Sequence, residues 1–343
     1  MTTIANFGEF NLIARLTADL PQSPHVLLGV GDDAAILATE GEKILVATCD
    51  AQVEDTHFRL SNINPHDLGR RVLAVNLSDI AAMGATPRFA LISLLLPPTL
   101  DITILDGLYA GMQTEAAKFG VAIVGGNIAR NAERLIIDIT LLGTAYQNQL
   151  LQRKNAQAGD AILVTGHVGS AAAGLLLLEN QQLASKIAPE DQMAVLAAQH
   201  TPIPRVEAGQ WLAEHNVITG IDVSDGLVGD LLHICEASNV SMCIEADALP
   251  IQPEVLVIAQ RAGHDPLELA LFGGEDYELL FTTPADRAMA LVQDLFAATG
   301  VKASIIGSTA AGSGLTLKRN GTITSLQTGG WDHLRSNKSN KRR

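Results

Sequence analysis

Apolar residues recur every three or four positions over residues 7–20, 67–83 and 100–119, the spacing of one buried helix face. Phe10, Ile13, Leu16 and Leu20 carry the first of these, and Gly84 closes the second. The stretches 170–179, 205–215 and 226–238 read the same way. Short apolar runs bounded by turn residues predict strands over 44–48, 88–96, 121–124, 135–143, 161–165, 218–222 and 278–282. The first of them ends on Asp50 and leads to a polar loop, 52–64, that holds Glu54, Asp55 and His57. The strand at 121–124 runs into a Gly125-Gly126-Asn127 turn. Two or three short strands and Trp331 close the fold. Helices and strands mix without a regular βαβ alternation, which predicts an α+β fold of two mixed domains rather than one doubly wound sheet. The polar stretch that begins at Leu150 marks the boundary, giving domains 1–149 and 150–335. A basic tail, 336–343, is expected to be disordered.

Composition adds limits. With 343 residues, 47% hydrophobic and 17% charged, the chain buries a substantial core, and at 4% aromatic that core is aliphatic. The net charge of −14 argues against nucleic acid or an anionic membrane as partner. The apolar runs are too short to span a bilayer. Cys49, Cys235 and Cys243 form no CxxC or zinc spacing, and the N-terminal residues do not read as a signal peptide, so a reducing, cytoplasmic setting is expected.

Acidic residues stand beside glycine or at the ends of apolar runs: Asp32 and Asp33, Asp50, Asp79, Asp222 with Asp225, and Glu275 with Asp276. They are expected to converge on one metal-and-phosphate site, with Asp33 in metal-bridging reach of Asp79 and Asp222. Gly29-x-Gly31-x-x-Ala34 formally matches the dinucleotide fingerprint, but Asp32 and Asp33 would repel a pyrophosphate and no long helix follows. A divalent cation between carboxylate and phosphate reverses that sign. Asp79 lies near the end of an apolar helix, where the dipole opposes it. It requires either a metal or an arginine, Arg70 or Arg71. Asp222 and Asp225, three apart with Ser224 between them, either share a metal or cap the next helix. Gly125-Gly126-Asn127 either admits a phosphate closely or is a plain loop, and the Gly273–Asp276 stretch is equally open to a turn. Cys49 reads as a small buried residue. Neither the Walker pattern nor an HRD/DFG set is present.

Gly31-Asp-Asp-Ala34, Asp50 with His57-Phe58, the run from Ala74 to Gly84, Asp222-Val-Ser-Asp-Gly-Leu227, Gly273-Gly-Glu-Asp-Tyr-Glu-Leu279 and Gly330-Trp331 together resemble the thiamine-monophosphate kinase family. That family lies in the ATP-binding superfamily shared with aminoimidazole ribonucleotide synthetase, selenophosphate synthetase and a hydrogenase-maturation protein. The likeness runs from Gly8 to Trp331. It implies magnesium-dependent transfer from ATP to thiamine monophosphate, and a homodimer paired through N-terminal sheets, with a C-terminal α/β sandwich. By position it implies metal ligands at Asp32, Asp33, Thr48, Asp50, Asp79, Asn127, Asp222 and Asp225. ATP contacts fall on Tyr109, Gly126, Asn127, Arg153 and Ser224, and substrate contacts on His57, Glu275 and Trp331. Asp50, Asp79 and Arg153 would carry the catalysis. Asn127 stands where the family commonly has Asp, which weakens one metal position. A phosphate nucleophile, with a second pKa of about 6, needs no general base. The alternatives are a sibling ATP-dependent enzyme with another small acceptor, or a non-catalytic nucleotide or thiamine-phosphate sensor.

Overall fold

The computed structural model describes residues 26–28, 31–39 and 41–326. The helix expected over 7–20, Gly29, Trp331 and the tail lie outside the described residues. The first half forms a six-stranded sheet: β1 (Val26–Leu28), β2 (Ala35–Leu37), β3 (Lys43–Val53), β4 (Thr86–Leu96), β5 (Ala122–Arg130) and β6 (Ile136–Tyr146), in the order β1-β2-β3-β6-β4-β5. All pairs are antiparallel except β4 with β5. Alternation along β6 turns Ile137, Ile139 and Leu141 into the core. Helices α1 (Pro65–Ala82) and α2 (Ile102–Lys118) complete this half.

The sequence fixes the ends of α1 tightly. Asn64 accepts the Asp67 amide at its N-cap (2.8 Å), Pro65 opens the first turn, and Gly84, at φ 68°, follows the last. Thirteen of its eighteen residues are buried, so the helix packs on several sides. Two glycines let α2 lie directly on it. A Cβ on Gly69 would fall 2.0 Å from the Leu108 carbonyl oxygen, and one on Gly111 would fall 1.9 Å from that of His66.

The second half is a seven-stranded mixed sheet flanked by helices. Its strands are β7 (Asp160–Thr165), β8 (Thr219–Asp222), β9 (Val240–Glu245), β10 (Leu279–Pro284), β11 (Ala303–Ala311), β12 (Gly314–Arg319) and β13 (Thr322–Leu326), ordered β13-β12-β9-β11-β7-β10-β8. The helices are α3 (Ser170–Glu179), α4 (Gln181–Ala184), α5 (Pro189–His200), α6 (Val206–Glu214), α7 (Leu227–Ser238), α8 (Pro253–Ala262), α9 (Pro266–Phe272) and α10 (Ala285–Thr299). Every residue of β7 is buried, so the sheet is covered on both faces. Leu163 and Phe281 on one face join the core of the first half, while Ile162, Val164 and Leu280 pack with α7 on the other. The two halves therefore share one apolar core, and Gly209 of α6 touches Ala81 of α1 through backbone atoms.

Two mixed sheets with helices match the expected α+β class. Local boundaries differ where tertiary contact overrides local signals. Strand β3 does not stop at Asp50; it pairs with β6 from Lys43 to Val53 and carries Asp50 mid-strand. The glycine pair at 125–126 is not a loop but continues β5 beside β4, with a bulge near Ala90. A Cβ on Gly126 would meet the Ile92 carbonyl oxygen at 1.8 Å, so close strand approach accounts for this glycine. Cys49 is exposed on β3 rather than buried, with Sγ 3.2 Å from Asp138. Helices α5, α8 and α10 were not read from the sequence, although α8 and α10 each turn one apolar stripe inward; α10 buries Ala288, Leu291 and Leu295.

Replacing Gly111 by Ala should separate α1 from α2. The clash is with backbone, so no side-chain rotation relieves it, and a loss of about 3 kcal/mol is expected. Chemical denaturation reads this as a lower midpoint; an unchanged midpoint would mean that the helices do not touch there.

Candidate active site

Three elements end at one point. The loop between β1 and β2 supplies Asp33, the last turns of α1 supply Asp79, and the end of β8 supplies Asp222. One carboxylate oxygen from each lies within 4.8 Å of the others. Asp222 is 1% exposed and Asp33 8%. A strand, β2, follows the Gly31-Asp32-Asp33 bend, so no helix N-terminus is available there for a dinucleotide.

Hydroxyl groups orient these carboxylates. Thr48 donates to Asp79 Oδ2, Ser78 donates to Asp222 Oδ2 at 2.6 Å, and Ser224 donates to Asp222 Oδ1 at 3.2 Å. The cation at the site is Arg153. Its Nη2 lies 2.8 Å from Asp33 Oδ1 and its Nε 3.4 Å from Asp33 Oδ2, a bidentate pairing. Its backbone N–H donates to Asp32 Oδ2 at 3.3 Å, and Nε also lies 3.9 Å from Asp32 Oδ1. Neither arginine weighed for Asp79 serves it: Arg70 pairs with Glu115 at 2.9 Å, and Arg71 pairs with Glu275.

The electrostatics are unbalanced. Burial, and then the charges of Asp50, Asp222 and Asp33, push the Asp79 carboxyl well above the usual carboxylate range. Burial and Asp33 raise Asp222 to about 7, with Ser78 and Arg153 acting the other way. Burial and Asp33 raise Asp32 to about 6. Oxygen-only donors packed so closely that they resist ionisation fit a hard divalent cation such as magnesium.

Not every expected acid joins. Asp276 accepts the Gly169 and Ala171 amides (2.6 and 3.0 Å), clamping the start of α3. Glu275 adopts φ 69° and is gripped by Arg71 and by Gln199 Nε2 (3.0 Å). The buried Arg71 also donates to the Gln199 carbonyl, so one guanidinium ties α1, the end of α5 and the Glu275 loop. His57 Nδ1 accepts the Val53 amide at 3.0 Å. Asp50 acts on Asp79 and Asp222 from β3. Asp225 follows β8 and acts on Asp230 of α7. Gly126 and Asn127 are exposed on edge strand β5, which β6 and β4 separate from β3. Tyr109 lines a cavity of about 390 Å³ with Leu94, Leu105, Asp106, Ala110, Gln113 and Ile128.

Sequence reasoning missed Ser78 and Asp230, and it offered Arg71 to Asp79 rather than to Glu275. Ser78 gave no local signal. Asp230 did: a carboxylate in the apolar run Leu-Val-Gly-Asp-Leu-Leu is the same anomaly that singled out Asp79.

Comparison with known proteins identifies the family. Residues 31–145 match the family model described as AIR synthase related protein, N-terminal domain, and residues 157–320 match its C-terminal domain. A thiamine-monophosphate kinase of Bacillus subtilis is 34% identical over 95% of this chain and 99% of its own length. One of Escherichia coli O157:H7 is 37% identical over 95% and 98%. Among solved structures, AaThiL complexed with AMPPCP and TMP superposes with a TM-score of 0.85, at 30% identity over 97% of this chain and 99% of that one. The chain belongs to the thiamine-monophosphate kinase family.

Proposed function

We propose that this chain transfers the γ-phosphoryl group of ATP to thiamine monophosphate, forming thiamine diphosphate, with magnesium ions held by Asp33, Asp79 and Asp222. The observation that carries the reading is the convergence of those three carboxylates from separate elements, supported by whole-length similarity to kinases of that name. Asp32, Thr48, Asp50, Asn127 and Asp225 are the remaining candidate ligands. Bound magnesium would neutralise the phosphates of both reactants and the charge that develops on the transferred group. Thr48, Ser78 and Ser224 hold the carboxylates in place while adding no positive charge. Arg153 guards Asp33 and Asp32 in the resting protein and is the cation available to the nucleotide phosphates. The acceptor phosphate is itself the nucleophile, so positioning rather than proton removal sets the rate.

Glu275, held by Arg71 and Gln199, is the candidate anion for the cationic thiazolium of the substrate; His57 and Trp331 complete that end. Tyr109, with its cavity, and Gly126 and Asn127 belong to the nucleotide end. Three strand spacings of about 4.8 Å put β5 roughly 14 Å from β3. We therefore assign Tyr109, Gly126 and Asn127 to the site of a partner copy. Phe89 and Leu91, exposed on the outer face of β4, are the candidate surface for pairing the two copies. The domain division is placed at 149/150.

The direct test is formation of ADP and thiamine diphosphate from ATP and thiamine monophosphate with magnesium; a folded protein without turnover overturns the reading. A preferred acceptor in a panel of small phosphates would favour the sibling enzyme instead. Asp79→Asn should lower turnover by about 100-fold or more while raising or preserving the melting temperature in EDTA, because it removes a buried carboxyl crowded by like charges and leaves an acceptor for Thr48. Wild-type turnover in that variant removes Asp79 from the metal site. Arg153→Gln should lower metal-free stability by roughly 3 kcal/mol by stranding Asp33, raise KM for ATP, and regain part of the stability when magnesium is added. Mixing Asp79→Asn with Tyr109→Ala chains should restore activity through hybrid dimers if the site draws on both copies; hybrids as inactive as their parents place both residues in one chain's site.

A further inference from the structure

We propose that Asp230 is an additional divalent-cation ligand, acting with Asp225 on an ion at the start of α7, beside the Asp33, Asp79 and Asp222 cluster. This rests on the reading above that the cluster holds magnesium. Asp230 stands in the first turn of α7, five residues after Asp225. The N-cap between them is Gly226, at φ 111°, and no side chain caps the helix. Asp230 is 2% exposed, and its Oδ2 is buried without a hydrogen-bond partner.

A buried aspartate with a structural task in this half of the molecule looks different. Asp160 accepts the Gln157 amide at 2.9 Å and the Thr282 hydroxyl at 3.2 Å. Asp276 accepts two backbone amides. Asp230 Oδ2 has neither kind of donor. Its charged surroundings are mainly Asp225, Asp222 and Asp33, opposed by Arg153, and Arg153 is already engaged by Asp33 and Asp32. The helix N-terminus favours an anion there, but by far less than an unpaired interior carboxylate costs. A cation shared with Asp225 answers both the missing donor and the like-charge repulsion.

Manganese is a suitable probe because it takes the same oxygen donors as magnesium and free manganese is counted directly by electron paramagnetic resonance. The full chain, without nucleotide, is titrated as wild type, Asp230→Asn, Asp225→Asn and the double variant. Both single variants should lose the same ion or bind it at least about tenfold more weakly, and the double variant should be no worse than Asp225→Asn. Melting in EDTA should show Asp230→Asn as stable as wild type or more so. If Asp230→Asn does not fold, Asp230→Ser is read in the same way. A folded Asp230 variant that binds manganese with wild-type stoichiometry and affinity overturns this inference and leaves the kinase reading standing. A wild-type chain that binds no manganese overturns both.

Discussion

Like-charge repulsion in a place that water does not screen is the constraint on which this site depends. Asp33, Asp79 and Asp222 meet where the loop before β2, helix α1 and strand β8 end, and Asp50 adds to the field from β3. Hydrogen-bond donors that fix these oxygens are mostly hydroxyls: Thr48, Ser78 and Ser224. Such donors orient a carboxylate without neutralising it. Lysines or arginines in their place would have stabilised the resting fold and filled the position the proposed metal would take. Arg153 is the exception, and it stands on the more accessible side of the cluster with a side chain 19% exposed, where it has room to exchange one anion for another. Stability forgone at one point is the usual cost of a binding site.

Helix α1 carries that constraint through the molecule. Ser78 and Asp79 near its C-terminus serve the carboxylate cluster, while Arg71, eight residues earlier, holds Glu275. At 1.5 Å per residue these two stations lie about 12 Å apart along the axis. One rigid element thus sets the separation between the acidic cluster and the Glu275 loop. Backbone contact through Gly69 and Gly111 with α2, and through Gly209 with α6, leaves little freedom for that separation to vary. The shared core of the two halves works in the same direction, since Leu163 and Phe281 of the second sheet pack into the cluster that contains Leu73 and Leu77.

What could be read from the sequence follows from range. Helix α1, helix α3, the β7 run and the α+β class rest on local periodicity, and local periodicity survives folding. Asp79 announced itself because its neighbours are apolar, and the same rule applied to residues 227–235 would have found Asp230. The arginine pairings were not legible, because Arg70 and Arg71 are adjacent in the chain yet face different partners, Glu115 and Glu275. Gly125-Gly126 was misread for a related reason. A glycine pair marks close backbone approach, and the sequence cannot say whether the approaching group is a phosphate or, as found for Gly126, the Ile92 carbonyl of a neighbouring strand. The role of Asp276 was equally hidden, since its partners, the amides of Gly169 and Ala171, lie more than a hundred residues away.

Raised carboxyl pKa values in a cleft are ordinarily taken as a sign of general acid–base chemistry. On the proposed reading they carry a different meaning. A phosphate acceptor is already ionised near neutral pH, so transfer to it requires no proton acceptor. The burial and mutual repulsion that raise Asp79 and Asp222 would be relieved by a cation as well as by a proton. On the proposed reading, protons and cations would compete for this cluster. Under the proposed function, an acidic chain acting on two anionic reactants would need this arrangement, since its carboxylates would repel the phosphates unless cations stood between them.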